Sequence, residues 1–363
     1  MKSEARRDEV IRKLDLVRRL AKGRTVRLRG IDWFAWATGG GSSNVLLAAE
    51  TGIAEIIITP TAALVITDEI EAKRLQDEEL PDQFSLHAAG WSDPQSREHF
   101  VSEVTGRSAV MSDRPAPGEE ELPTLLVAAK RQMTSPEVAR YREVGAEAAK
   151  AMTETLLKAE PGWTELELAG AGAAALLARG LDPALVMAAG DRRLQLYRHP
   201  MPKQEKIGSL AMLVFCARGY GLYANLTRFV SFGKLPHYLA ELHLQVREVE
   251  ARVLAISRPG TRLSTAFETL ARAYQELGHP EAIREHHQGG TTGYLSRESV
   301  ATPGCTDILS EGSVVAWNPS LVGAKIEDTF LVTAGGIDNL TRDERWPTIE
   351  VNGIERPVAL ERS

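Results

Sequence analysis

Cysteine is nearly missing from this sequence. Cys216 and Cys305 are the only two among 363 residues. Two thiols cannot build a disulfide framework or a four-cysteine zinc ribbon, and a reducing cytoplasmic home is the simplest expectation. Long apolar runs are missing too: no stretch approaches the ~20 residues that a membrane span requires. The opening MKSEARRDEV is charged, so no secretory leader is expected. There is no excess of positive charge. Lys and Arg number 43 against 49 Asp and Glu, a net charge of −6, which argues against a nucleic-acid or anionic-membrane partner. What is present is 43% hydrophobic and 25% charged residues. That is ordinary globular composition, and it excludes a disordered chain, a collagen and a coiled coil. The length calls for two domains or one large one.

Apolar spacing predicts a helix over 4–22, with Val10, Leu14 and Val17 on one face and Gly23 as its stop. Strands are expected at 25–28, 44–49, 53–59 and 62–67, with ETG (50–52) as a hairpin turn. Helices are expected near 69–77 and 94–105. SDRPAPGEEELP (112–123) reads as a linker. The organisation expected is an N-terminal α/β domain over 1–125 and a second domain over 126–363. The second half opens on a helix from Ser135 to about Leu157, with Pro136 at its first position. Another helix follows PGWTELE, with Thr164 and Glu167 spaced as a capping box. Strands at 184–189, 210–217 and 221–231, helices at 236–257 and 264–278, and strands at 281–288, 313–318 and 325–333 complete an α+β pattern. It predicts helices packed on a curved, mostly antiparallel sheet.

Four segments concentrate polar groups on or beside these strands: RHPMP (198–202), GLYANLTRF (221–229), HHQGGTTGYLSRE (286–298) and WNPSLVGAKIEDT (317–329). Adjacent strand residues face opposite ways, so one of His286 and His287, and one of Glu327 and Asp328, is expected at a common site. Bland readings stand beside these. His199 fits an ordinary loop, His287 a structural role, Cys216 a small core residue, and Glu327 an ion pair with Arg228 or Lys325.

The same segments, with SPEVARYREVGAEAA before them, resemble the creatinase, aminopeptidase P, prolidase and methionine aminopeptidase family, the pita-bread fold, over roughly 135–341. The first half resembles the accessory domain of the creatinase and prolidase branch, with RGIDWFAWATG (29–39) matching loosely. Peptidases of this family hold two divalent ions with two Asp, one His and two Glu. Carried over by position, the resemblance places these ligands on Val214, Asn225, Gly290, Asn318 and Glu327. One carboxylate with two amide oxygens does not neutralise four positive charges in a buried site. No metal or other cofactor is therefore expected.

The creatinase branch also lacks the metals and cleaves a C–N bond with a histidine as acid–base. The resemblance places that histidine on His199 if a small deletion is allowed, or selects Tyr197 in strict register. It makes His286 a substrate contact and Arg297 the fork that holds a substrate carboxylate. Thr227 stands where creatinase has a catalytic Glu, which argues against creatine itself. The expectation is a metal-independent hydrolase of a small carboxylate-bearing amide, amidine, ureido or dipeptide-like compound. His199, His286 and Glu327 would be catalytic, and Arg297, Asn225, Asn318 and Tyr197 would bind substrate. Two alternatives remain: an inactive pseudo-peptidase that binds a peptide or metabolite, and a metal-dependent Xaa-Pro peptidase with non-standard ligands. The resemblance also implies a homodimer.

Overall fold

The computed structural model describes residues 4–106 and 109–362. The chain divides into two compact units, Met1–Glu137 with Tyr220–Leu222, and Val138–Gly219 with Tyr223–Ser363. Among the described residues no helix is long and apolar enough to cross a membrane.

The first unit is built on a mixed sheet. Its strand order is Ser85–Ala89, Ala63–Asp68, Thr51–Ile58, Thr25–Gly30, Val110–Ser112, Glu120–Glu121. Helix Glu4–Ala21 buries Val10, Leu14 and Val17, the face read from the sequence. Two expectations are corrected here, and one element appears that the sequence left unassigned. Residues 44–49 form no strand, and Val45, Leu46 and Leu47 are exposed. The ladder beside Thr25–Gly30 is filled by Thr51–Ile58, so the apolar run before it has no partner strand. Ile31–Thr38 is a buried helix ended by Gly39 in the left-handed region (φ 68°); a short apolar run does not by itself separate helix from strand. The segment 112–123 is no free linker. Val110–Ser112 and Glu120–Glu121 are sheet strands, and Glu119 pairs with Arg29 at 2.6 Å.

The second unit is two curved sheets, each backed by a helix pair. One sheet runs Leu360–Arg362, Leu222–Phe232, Leu210–Gly219, Asp182–Gly190. Leu213, Phe215, Ala224 and Leu226 point to one side and pack on Ala148, Met152, Leu156 and Leu168 of helices Ser135–Lys158 and Glu165–Leu177. Each large side chain so buried contributes about 1.5–3 kcal/mol. The predicted capping box is present: Thr164 Oγ1 accepts from Glu167 N at 3.1 Å, and Thr164 N donates to Glu167 Oε2 at 2.7 Å. The other sheet runs Ser299–Val300, Gly289–Thr292, Val314–Trp317, Asp328–Thr333, Gly336–Asn339. Val315, Trp317, Phe330 and Val332 pack on Val249, Val253, Leu270 and Tyr274 of helices His237–Ile256 and Leu263–Glu276. This is the helix-backed curved sheet expected from the pattern.

One expectation fails in this unit. Residues 281–288 are not a strand: Ala282–Glu285 is a short helix and 286–288 have no regular structure. The sheets meet along a seam. There Asn225 N donates to Thr329 Oγ1 (2.8 Å), and Thr227 N donates to the Glu327 carbonyl (3.0 Å). Side chains turned away from both helix layers line this seam.

Candidate functional site

Alternation fixes what the seam displays. On Leu222–Phe232 the residues opposite the helix-packed face include Asn225, Thr227 and Phe229. On Leu210–Gly219 they include Met212 and Val214. Val214 is buried in an apolar cluster with Met187, Met212 and Phe229. Glu327 is bridged to Thr227, and its neighbour Asp328 turns the other way. Arg228 contacts Asp328 at 2.7 Å, and Arg356 sits 2.8 Å from Asp328 and 2.6 Å from Glu250. The alternation expected of Glu327 and Asp328 is what the strand shows.

Glu327 is 2% exposed and carries the electrostatics of the seam. Its Oε1 accepts from Arg297 at 2.6 Å, and its Oε2 lies 3.4 Å from Lys325 Nζ and 3.3 Å from Thr227 Oγ1. Burial pushes the Glu327 carboxyl up; Lys325 and Arg297 more than offset that and leave it below the ordinary carboxylate range. Arg228, weighed as a partner from sequence, serves Asp328 instead, whereas Lys325 does reach Glu327. Arg297 is thus held by an internal carboxylate. Its Nε is buried without a hydrogen-bond partner.

The two amide positions are fully enclosed. Asn225 donates from Nδ2 to Thr292 Oγ1 at 3.1 Å, and Asn318 donates its backbone N–H to the Gln288 carbonyl at 3.1 Å. The side-chain oxygens of both are buried and have no hydrogen-bond partner. Gly290 is locked between strands: a Cβ there would lie 2.0 Å from the Ser299 carbonyl oxygen. No side chain fits at that position without moving backbone.

His199, His286 and His287 gather at the rim. Their ring centroids are 5.7 Å (199 to 286), 6.2 Å (199 to 287) and 6.0 Å (286 to 287) apart. Both neighbouring histidines reach the cluster because residues 286–288 are not a strand, so the one-in, one-out expectation does not hold there. His286 Nε2 is 2.6 Å from Ser320 Oγ, and its Nδ1 contacts the His287 carbonyl. Burial and the nearby Lys325 push His286 down to about 3. The exposed His199 and His287 are shifted the same way, by partial desolvation with Lys325 and Arg297 contributing. All three imidazoles are therefore neutral near pH 7. Tyr197, the strict-register alternative to His199, is exposed and lies over the Arg193 guanidinium, 5.2 Å from its ring centroid.

Sequence reasoning gave Ser320 no role and Lys325 only that of an ion-pair partner. The signal was the two-residue turn Val322–Gly323, with Gly323 at φ 80°. A turn of that length sets Ser320 opposite Lys325.

Helix pairs backing a curved sheet, with catalytic-type side chains along its seam, define a pita-bread domain, preceded here by a prolidase-like N-terminal domain. The chain belongs to metallopeptidase family M24, whose model matches residues 139–334. No curated protein matches it. Among solved structures it is similar to the prolidase from Pyrococcus horikoshii OT3, at 18% identity over 93% of this chain and 99% of that one (TM-score 0.76). It is also similar to the Xaa-Pro dipeptidase from Bacillus anthracis, at 18% identity over 98% and 99% (TM-score 0.76). A third is the N-terminal domain of FACT complex subunit SPT16 from chickpea, Cicer arietinum, at 13% identity over 93% and 95% (TM-score 0.69). At these identities the structures speak to fold alone.

Metal ligation is tested by the donors themselves. Among the described residues no three His, Cys, Asp or Glu side chains are placed to share an ion. Val214 and Gly290 offer no donor, and Glu327 is already matched by two cations. The residues do not fit a pair of divalent ions, whose binding relies on carboxylate charge.

Proposed function

We propose that this chain hydrolyses a C–N bond in a small carboxylate-bearing amide, amidine, ureido or dipeptide-like compound, and does so without a metal pair. The observation that carries the reading is the charge arrangement at Glu327. Arg297 and Lys325 stand on the one carboxylate the family would use for metal, which supplies internally the positive charge that ions would bring. In this reading His199, neutral and exposed at the rim, moves the proton between water and the departing nitrogen. His286 and Asn318 bind the scissile group. Glu327 fixes Arg297, whose remaining donors hold the substrate carboxylate. Homodimerisation and a cytoplasmic location belong to the same proposal and rest on the family resemblance and the scarcity of cysteine.

The test is a panel of N-acyl and N-carbamoyl amino acids and Xaa-Pro dipeptides, assayed with chelator present. Turnover should survive chelation, and His199→Ala should lower kcat by roughly 10²–10⁴. Unchanged turnover in that variant removes His199 from the chemistry. Activity that appears only with added Mn²⁺ or Co²⁺ would instead establish a metal-dependent peptidase. A second reading, ligand binding without turnover, is favoured by one observation: the fold is shared with the N-terminal domain of a FACT complex subunit. Thermal stabilisation by panel members that are never cleaved would select it.

A further inference from the structure

We infer that Ser320 is a nucleophile, activated by His286, and that the substrate is a carboxamide cleaved through an ester on Ser320. This deepens the metal-free hydrolase reading and rests on it, but moves the proton of the departing nitrogen from His199 to His286 and leaves His199 the activation of water. Ser320 Oγ lies 2.6 Å from His286 Nε2. The other ring nitrogen, Nδ1, faces the His287 carbonyl. A carbonyl only accepts, so Nδ1 carries the proton and Nε2 is left as the acceptor for the Ser320 hydroxyl. Nucleophile, base and orienting acceptor therefore stand in the relation that activates a serine.

The serine is held still. Its N–H donates to the buried Tyr274 hydroxyl at 2.8 Å, and that hydroxyl lies 3.2 Å from its carbonyl and 3.0 Å from Gln288 Oε1. Ser320 also pairs directly with Lys325 across the hairpin, which places both side chains on one face. Ser320 is 4% exposed, and the two line a narrow crevice with Tyr197 and Arg198 that has room for about one water. An oxyanion forming at a carbonyl attacked by Ser320 thus develops beside the Lys325 ammonium.

The step balances. Ser320 Oγ bonds to the carbonyl carbon as its proton passes to His286 Nε2. His286 gives that proton to the nitrogen, the C–N bond breaks and the amine leaves, with the acyl group esterified to Ser320. Water, deprotonated at the imidazole rim where His199 stands, adds to the ester. The ester C–O bond breaks, Ser320 recovers a proton and the carboxylic acid departs. Lys325 also relieves the weakness of so acidic an imidazole: negative charge gathering against its ammonium removes part of what keeps His286 from accepting a proton.

Diisopropyl fluorophosphate reports on such a serine without knowledge of the substrate. Ser320 Oγ should bond to the reagent's phosphorus as fluoride leaves and the hydroxyl proton passes to His286, giving the full chain one diisopropylphosphoryl adduct that peptide mapping places on Ser320. Ser320→Ala should take up none, and His286→Gln should slow uptake by roughly 100-fold or more. Mapping on the wild-type chain needs no variant to fold. An adduct on another residue, or none, overturns the assignment. If panel amides are nevertheless hydrolysed with chelator present, only Ser320 has failed and the metal-free reading stands. An adduct on Ser320 with no amide turned over leaves an activated serine but overturns both the carboxamide assignment and the reading it rests on.

Discussion

Glu327→Gln is the most informative single change, because it keeps shape and removes charge. In the wild type the Glu327 carboxylate faces Arg297 at 2.6 Å and Lys325 at 3.4 Å, with side chains 15% and 6% exposed. The amide leaves two cations enclosed together with no counter-charge. Removing one member of a buried ion pair costs about 3–5 kcal/mol. For a unit of this size each kcal/mol moves the Tm by roughly 2–4 °C, so a fall of roughly 6–20 °C is expected. The pH dependence supplies an independent check. Burial raises the Glu327 pKa, Lys325 and Arg297 lower it further, and the folded value sits below the ordinary 4.5. A depressed carboxyl stabilises the folded state above its unfolded pKa and loses that contribution as pH falls through the folded one. The gap between wild type and variant should therefore be full at pH 7 and shrink below pH 4.5. Urea melts at pH 7 and near pH 3.5 measure both. A variant as stable as the wild type at pH 7, or a gap that ignores pH, would refute the ion-cluster argument.

Other outcomes follow from the same geometry. Millimolar Mn²⁺, Co²⁺ or Zn²⁺ should leave the Tm unchanged in calorimetry, whereas a site with micromolar affinity would add about 4 kcal/mol. Gly290→Ala should destabilise the chain by about 1–3 kcal/mol or more in denaturant melts, since its Cβ would meet the Ser299 carbonyl oxygen. His286, pushed down to about 3, should show no imidazole titration by NMR between pH 5 and 8. The unfolded chain takes up this proton between the ordinary 6.5 and about 3 while the folded chain does not, so stability should rise with pH through that window. His286→Gln should flatten the rise.

Much of this was legible in the sequence where local chemistry governs. The Thr164 capping box, the helix Glu4–Ala21 and the paired strands around Val214 and Asn225 follow from side-chain spacing alone. What escaped depended on who pairs with whom. Val45–Leu47 has the composition of a strand but no vacant ladder beside it. Ile31–Thr38 is apolar apart from Asp32 and Thr38, and no period marked it as a helix. His286 and His287 were assigned opposite faces on the premise of a strand, yet a four-residue helix ends just before them and releases both imidazoles to one rim. Ser320 and Lys325 become neighbours only through a two-residue turn, a contact that neither residue's chemistry announces.

The exchange of metal for internal cations also sets what the cavity accepts. With the imidazoles neutral, Arg297 and Lys325 together carry one more positive charge than the Glu327 carboxylate they share. An unbalanced charge in a poorly solvated cavity is costly, and a ligand with one carboxylate cancels it. A neutral amide leaves the imbalance in place, and a dianion reverses it. Binding should therefore favour monoanions over isosteric neutral ligands. Lys325→Met, by closing the balance internally, should erase that preference while Ser320 and His286 keep their contact. Isothermal titration of matched acid and amide pairs against both proteins measures this. Equal preference for the acid in the two would show that the seam's charge lies elsewhere.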